Sequence, residues 1–525
     1  LTFSQAALRE IETLKKENAE AKKNSYFGKV PLDLYQAVND ISSRDIDVAS
    51  KMVKELNEIS PVWFSCRLEA VGNKGDKFNV LTSFSHEKLG DMIINRSKIL
   101  RIPKLLEGAL YEGKKGAWRY FGKNELTTFT EKTALEELQA WGYYQQKYIS
   151  EVSRYTKQKA YNPSYSNTSP FEESAPELVV FKNGTYNILT DEMKPHDYKD
   201  YILTSFNYEL DITGKATPHT DKFFEEFFGE NALFMKQYIG YLFYRSYSPA
   251  PDMVFLYGQG GEGKSSFLNM VTNFYLGVEN VSALTPEQIG ERFSVVDLLG
   301  TCANICGDID SDYLSTTAIL KRVTGGDNIK AEYKGIQGFN FISYAKLFFS
   351  MNEFFHFKDM STGFASRLTV VPIMIGDQRL PENNFWDNHD TNLIKEESPA
   401  FVYSCMREFR KIFNGKKVLF AKSKSMEKTK NEWLFDNDRI AQFIFEATEI
   451  LEGDERGEIA STVYSEYKAF CRFNGFVPKS AKELTKQLSK KGVVKSKSSN
   501  AFNDGGTRLD RYISLKLIET YLEQL

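Results

Sequence analysis

The stretch that decides the reading of this chain is MVFLYGQGGEGKSSFLNMV, Met253 to Val271. It sets Gly258, Gly263, Lys264 and Ser265 at the spacing G-x-x-x-x-G-K-[ST]. Glycine accepts backbone conformations closed to other residues, so Gly258, Gly260, Gly261 and Gly263 let several N–H groups converge on a polyphosphate. Lys264 then reaches the β and γ phosphates, and the Ser265 hydroxyl holds Mg²⁺. Glu262 and Ser266 complete the loop and are counted with it as nucleotide-contacting positions. Met253–Tyr257 is an apolar run of strand length. After Lys264, the residues Phe267, Leu268, Val271, Phe274 and Tyr275 share one helical face. Strand, glycine turn and helix therefore stand in the order a phosphate cradle requires, against the alternative of a glycine-rich turn that binds nothing. Such cradles serve many reactions, so the groups around the loop must choose among them.

A chain of 525 residues is too long for one core, and roughly two to four domains are expected. Apolar residues at 42% and aromatics at 14% exclude a disordered polymer. Cys66, Cys302, Cys306, Cys405 and Cys471 are scattered without C-x-x-C pairs, which argues against zinc and for reduced thiols, two of them in a buried strand. No apolar run approaches the roughly 18 residues of a membrane span, and the N-terminal stretch has no signal-peptide core. A soluble cytoplasmic protein without membrane partners is expected; Leu1 in place of Met suggests trimming upstream. The net charge of −3 makes local basic patches, rather than the total, the test for nucleic acid.

Residues 1–100 read as a helical, then mixed, region of unknown role. Asp45 and Asp47 within it read as first-turn helix acids rather than metal-binding carboxylates at a strand end. Residues 101–231 read as an α+β accessory domain with short strands and one long helix over TALEELQAWGYYQQKYISEVSRYTKQKAY. Strands recurring at TCANICGD, FNFISY, KLFFSMN and RLTVVPIMI alternate with helices, which predicts an α/β nucleotide-binding core over 232–400. A lysine-rich helical connector covers 401–432. Three amphipathic helices and a hairpin over 433–525 form the winged-helix pattern.

Four further features bear on chemistry. The strand TCANICGDID ends in Asp308 and Asp310, carboxylates suited to ordering Mg²⁺ and the attacking water. The alternative is a pair of turn acids. KLFFSMNEF ends at Asn352, whose amide either senses the γ phosphate or caps the strand. Arg367 stands just before another apolar strand, and arginine stabilises phosphoryl-transfer charge, often from a neighbouring subunit; a lone arginine is otherwise a surface charge. The segment DNIKAEYKGIQG carries Lys330 and Lys334, charges suited to a phosphate backbone without sequence preference.

In this order, phosphate loop, acidic strand end, Asn-tipped strand and Arg367 resemble the superfamily 3 helicases of the AAA+ class, and more closely those of phage and plasmid primase-helicases. NGTYNILTDEMKPHDYKDYILTSFNYELD is similar to the segment that precedes the helicase in that family, and the resemblance covers about 100–525. It implies ATP and Mg²⁺ as cofactors, with Lys264 and Ser265 on both, Asp308 at the acidic motif, Asn352 as sensor and Arg367 as a finger reaching the adjacent protomer's ATP. It further implies that DNIKAEYKGIQG forms a hairpin that projects into a ring's pore, with Lys330 and Lys334 on single-stranded DNA, against the alternative of an ordinary surface hairpin. Two positions depart from the pattern. Gly307 replaces an acid common in relatives, so Asp310 shares that role, and Glu262 stands where many relatives carry Asn.

At the C-terminal end, Lys482, Lys486 and Lys490 repeat at i, i+4 and i+8 with Leu484 and Leu488 opposite, and Lys479, Lys491, Lys495, Lys497, Arg508 and Arg511 surround them. This face suits forked or duplex DNA, against the alternative of a solvated lysine face. The expectation is an ATP-driven, ring-forming and hexameric replicative DNA helicase, with a replication initiator or a primase as a further partner. The rivals are an origin-binding initiator whose ATPase switches assembly, and the helicase part of a bifunctional primase-helicase.

Overall fold

Apolar side chains recurring every third or fourth residue, and apolar runs of four to six, become helices and strands in the computed structural model. They pack into two units, residues 1–209 and 210–525. The structure describes residues 13, 46–71, 77–102, 107–140, 143–165, 169–307, 309, 314, 317–333, 338–357, 359, 361–376, 385–451, 457–496, 510–512 and 514–518.

In the first unit, the helix Ile46–Ile59 buries Ala49, Met52, Val53, Leu56 and Ile59, the three–four spacing of an amphipathic helix, with Asp47 in its first turn. It packs beside the antiparallel pair Phe64–Val71 and Lys77–Phe84. One hydrophobic cluster runs from Ala49 through Trp63 and Leu89 to Ala160. The single long helix expected after residue 132 is instead two, Glu125–Ala140 and Gln146–Lys159. Gln145 is extended at φ −143°, which ends helical continuity, and the two helices meet side by side through a 2.7 Å hydrogen bond between the Thr130 and Ser153 hydroxyls. Short strands occur here as the antiparallel hairpins Ala109–Glu112/Ala117–Tyr120 and Leu178–Phe181/Gly184–Asn187.

The second unit opens with α1 (Pro218–Phe228) and α2 (Ala232–Leu242). Then come β1 (Met253–Tyr257), α3 (Lys264–Met270, continued by a π-helical turn over Val271–Leu276), β2 (Val281–Ser282) and β3 (Ala303–Cys306). α4 (Ala318–Gly325) leads to the hairpin β4 (Asn328–Ala331) and β5 (Phe339–Ile342), and then to β6 (Lys346–Met351) and β7 (Leu368–Pro372). α5 (Thr391–Ile412) and α6 (Lys424–Asn437) close the core. Strands β2-β3-β6-β1-β7 form, in that order, a parallel sheet. Every residue of β6 and four of five in β1 are buried, so these strands read as continuous apolar runs rather than alternating ones. The chain leaves β1 toward β2 on one side and later returns past it to β7 on the other. Such a reversal opens a crevice beyond the carboxyl ends of the strands, where ligands of open α/β sheets bind.

The C-terminal segment has its own hydrophobic cluster, from Ile440 to Leu515. Its helices are α7 (Arg439–Ala447), α8 (Ala460–Phe473) and α9 (Ala481–Lys490). Strands β8 (Thr448–Ile450) and β9 (Lys495–Ser496) pair with Leu515–Leu517 and Arg511–Tyr512. The three helices match the expectation; β8, between the first two, is a strand the sequence did not announce. All five cysteines are free thiols, with Cys306 in β3 and Cys302 just before it. Among the described residues no group of three or more His, Cys, Asp or Glu could hold a metal ion by itself, and no helix is long and apolar enough to cross a membrane.

Candidate functional site

The loop Gly258–Ser265 leaves the carboxyl end of β1 and enters α3. Gly260, Gly261 and Gly263 sit at φ +99°, +79° and +84°, which side chains rarely adopt. At Gly263 the packing is as restrictive as the backbone, since a Cβ there would lie 1.9 Å from Trp386 Nε1. Lys264 is 4% exposed and Glu262 6%. The Glu262 carboxylate turns back into the loop, where Oε1 accepts from the Gln259 N–H (2.6 Å) and Oε2 from the Gly260 N–H (2.8 Å) and Lys264 Nζ (3.0 Å). Lys264 Nζ also donates to the Gly258 carbonyl at 3.2 Å. Burial pushes the Glu262 carboxyl up, but the Lys264 hydrogen bond, the loop N–H groups and the Lys264 charge together hold it below the ordinary carboxylate value. The donors a phosphate would need are thus gathered here around a carboxylate.

The neighbouring strand ends converge on this loop. Because β1 pairs with β6 through Tyr257 and Met351, Asn352 emerges beside Gly258, and its Oδ1 lies 4.0 Å from where a Gly260 Cβ would stand. β3 pairs with β6 through Cys306 and Phe349, which brings Gly307 out near α3. A Cβ on Gly307 would lie 3.4 Å from the Ser350 hydroxyl and 3.7 Å from the Ser265 hydroxyl. Beyond it the Ile309 N–H bonds the Ser350 carbonyl at 3.1 Å. Asp308 and Asp310 lie outside the described residues. Lys264, Ser265, Gly307 and Asn352 therefore share one edge of the sheet, and Ser266 is exposed on the first turn of α3.

Arg367 is not at that edge. It precedes β7, whose register sets Leu368 against Met253 and Pro372 against Tyr257, and its carbonyl accepts the Met253 N–H. Five residues of strand, about 16 Å, separate it from the loop of its own chain. Its guanidinium donates from Nε to the Thr324 hydroxyl at 3.0 Å and from Nη1 to the Gly363 carbonyl. The Asp359 carboxylate accepts from the Thr317 hydroxyl and Lys321 Nζ, both at 2.6 Å. Burial raises the Asp359 pKa, but these bonds and those of Ser361 outweigh it and leave the carboxyl far below its ordinary range.

The expected hairpin is present as β4 and β5, with Ile329, Ala331, Phe339 and Phe341 buried and Lys330 exposed on the other side. Lys330 Nζ lies 3.7 Å from Glu332, which is also held by Arg292 at 2.5 Å. Lys334 lies outside the described residues. On α9, Leu484 and Leu488 are fully buried while Lys482, Lys486 and Lys490 are exposed. Lys482 and Lys486, with Lys495, Tyr464 and Tyr512, line an open groove of about 1030 Å³; Lys490 stands off it. Lys497 and Arg508 lie outside the described residues. Trp386, which sequence reasoning did not single out, packs on Gly263 and donates from Nε1 to the Glu262 carbonyl at 3.3 Å. No motif in the sequence marks it.

Comparison with known proteins gives two family matches. Residues 94–229 match the model described as D5 N terminal like, which takes in the stretch read above as preceding a helicase, and residues 256–367 match a family of unknown function (DUF5906). No curated protein matches the chain. Among solved structures, apo forms of the NrS-1 C terminal region align with 11%, 11% and 10% identity and TM-scores of 0.40, 0.42 and 0.41, over 81% of this chain and 98% of theirs.

Proposed function

We propose that this chain is an ATP-dependent, ring-forming DNA helicase of the phage and plasmid primase-helicase kind, acting in replication. One observation carries the reading. Lys264, Ser265, Gly307 and Asn352 meet at the carboxyl edge of a parallel sheet, while Arg367 is held at the opposite edge, too far away to serve its own loop. A site with a cradle, a sensor amide and a strand end, but no arginine of its own, suits completion by a neighbouring copy. The D5 N terminal like match over 94–229 supports the same family.

In this reading the loop N–H groups and Lys264 bind the β and γ phosphates, and Asn352 orients the attacking water. Mg²⁺ would be bound together with the nucleotide, so the chain's own residues need not form a complete cage for it. The Ser265 hydroxyl beside the Gly307 strand end fits it, with Asp308 as the next residue in sequence. When bound, the ion neutralises charge on the transferring phosphoryl group. The hairpin of Lys330 and Lys334 would track single-stranded DNA, and the α9 face would hold the fork as a winged helix.

The test is steady-state ATP hydrolysis with and without single-stranded DNA, together with unwinding of a forked duplex. DNA-stimulated hydrolysis and unwinding, both lost in Lys264→Ala, are expected. Hydrolysis without unwinding would transfer the chain to the origin-initiator reading.

A further inference from the structure

We propose that Glu262 is a built-in competitor for the phosphate site, which makes it a specificity-determining residue of the loop. In the nucleotide-free chain its carboxylate takes a phosphate's place, and only a polyphosphate displaces it. The inference rests on the nucleotide reading above and adds what selects the ligand.

The geometry is that of an anion bound in a cradle. Both carboxylate oxygens are used, one on the Gln259 N–H and the other shared by the Gly260 N–H and Lys264 Nζ. The loop closes on the group so tightly that a Cβ on Gly258 would come within 2.8 Å of both its Cδ and Oε1. Lys264 is thereby committed, and the two side chains are 4% and 7% exposed. A phosphate cannot use Lys264 while this pair stands, because a second anion beside a buried carboxylate is repelled and finds its donors taken. Glu262 must therefore swing out. Gly261 and Gly263, on either side of it and both at positive φ, are the residues able to absorb the backbone change.

Displacement sets a threshold. A ligand with one phosphate offers little more than the carboxylate already offers. One with adjacent β and γ phosphates spans more loop N–H groups and brings its own cation. Glu262 thus biases the site against inorganic phosphate and toward nucleoside triphosphates. Trp386 reports the exchange, since its indole donates to the Glu262 carbonyl and lies against Gly263.

The experiment is calorimetric titration of the full chain with Mg-ATP, inorganic pyrophosphate and inorganic phosphate, with tryptophan emission followed in parallel. Wild type, Glu262→Gln and Glu262→Asp are compared, and Lys264→Ala is the non-binding control. Glu262→Gln keeps the shape and loses the charge; Glu262→Asp keeps the charge but is one methylene too short to reach both N–H groups. Both variants should bind pyrophosphate and Mg-ATP about ten-fold tighter or more, with the preference over inorganic phosphate reduced. Equal or weaker binding by folded variants, with wild type binding ATP, overturns the competitor role and leaves the nucleotide reading intact. If neither wild type nor either variant binds ATP or pyrophosphate, both fall. Binding by the variants alone supports the competitor in its strongest form.

Discussion

The backbone carbonyl of Arg367 accepts the Met253 N–H at 2.7 Å, so this arginine enters β7 beside the first residue of β1, while the Gly258–Ser265 loop departs from the last. On the helicase reading, an arginine fixed at the amino end of the strands would serve the ATP of a neighbouring copy rather than its own. Arg367→Ala should therefore bind Mg-ATP as wild type does and lose hydrolysis by roughly 10³-fold or more, the range of an arginine finger. Mixing it with Lys264→Ala, each inactive alone, should restore part of the turnover through mixed interfaces. Full hydrolysis by Arg367→Ala would exclude the role in trans. A thermal melt should accompany the assay, because the change also removes the bond to Thr324.

Asn352 stands beside the loop without being part of the cradle, its Oδ1 being 4.0 Å from the Gly260 Cβ position. Removing an amide that acts on the water or the developing charge lowers turnover by about 10² and spares ground-state binding. Asn352→Ala should therefore keep its ATP dissociation constant within about threefold while kcat falls. A loss confined to binding would make it a structural strand cap.

These two placements mark where sequence reasoning stops. The strand before Gly258, the glycines and the face of α3 were legible because each is a local consequence of side-chain size, backbone freedom and helical period. The hairpin of Lys330 was expected only from the family resemblance. The order of strands was not legible, because which strand lies beside β1 is decided by nonlocal packing of runs that look alike. Only the register of β7 reveals that Arg367 is about 16 Å from its own loop. The long helix expected after residue 132 failed similarly: its apolar spacing continues on either side of Gln145, and only the docking of the two halves separates them. The Glu262 carboxylate looked like a departure from pattern, and its partners are three backbone and side-chain donors that no spacing rule would assemble.

Gly240 holds α2 against α5. A Cβ there would meet the Cys405 carbonyl oxygen at 2.1 Å, and backbone cannot yield as a flexible side chain does. Gly240→Ala should destabilise the second unit by about 1–3 kcal/mol, the usual cost of overpacking, despite alanine's better helix propensity. Urea unfolding followed by tryptophan emission measures it. An unchanged midpoint would mean that the helices separate freely.

Lys346 opens β6 fully buried, its Nζ donating to the Tyr244 and Tyr344 carbonyls at 2.7 and 2.9 Å, 4.4 Å from the Tyr241 ring centre. Burial pushes its pKa down to about 7. Between pH 7 and 9 the folded amine loses its proton and the unfolded one, near 10.4, keeps it. The unfolded state then binds more protons, so stability rises with pH, by up to about 1.4 kcal/mol per unit. From about pH 8 upward the buried thiols oppose this, since burial raises Cys66, Cys302, Cys405 and Cys471 and the unfolded thiols, at about 8.5, ionise first. The Lys346 contribution is therefore read as a difference: between pH 7 and 8 the urea midpoint should rise more steeply in wild type than in Lys346→Met. Equal slopes for the two proteins would contradict the buried, easily discharged amine.

The α9 face offers the most direct decision between DNA binding and solvated lysines. Lys482 and Lys486 line one groove with Lys495, and Lys486 meets Glu483 at 3.9 Å, a pair too exposed and too long to hold it. Lys495 is paired with Asp510 of the same groove at 2.9 Å, whereas the Lys482 and Lys486 charges are available to phosphates. Removing one phosphate-neutralising lysine should reduce the slope of log K against log salt by about one, and binding should weaken alike on unrelated sequences. Lys482→Ala and Lys486→Ala should each do this on a forked duplex, and Lys490→Ala, which stands off the groove, should do less. Lys330→Ala should instead weaken binding of single-stranded DNA, because Lys330 lies on the β4/β5 hairpin and does not line the groove. Equal slopes for all four variants and wild type would return these lysines to solvent, and a loss on one sequence alone would replace phosphate binding with base reading.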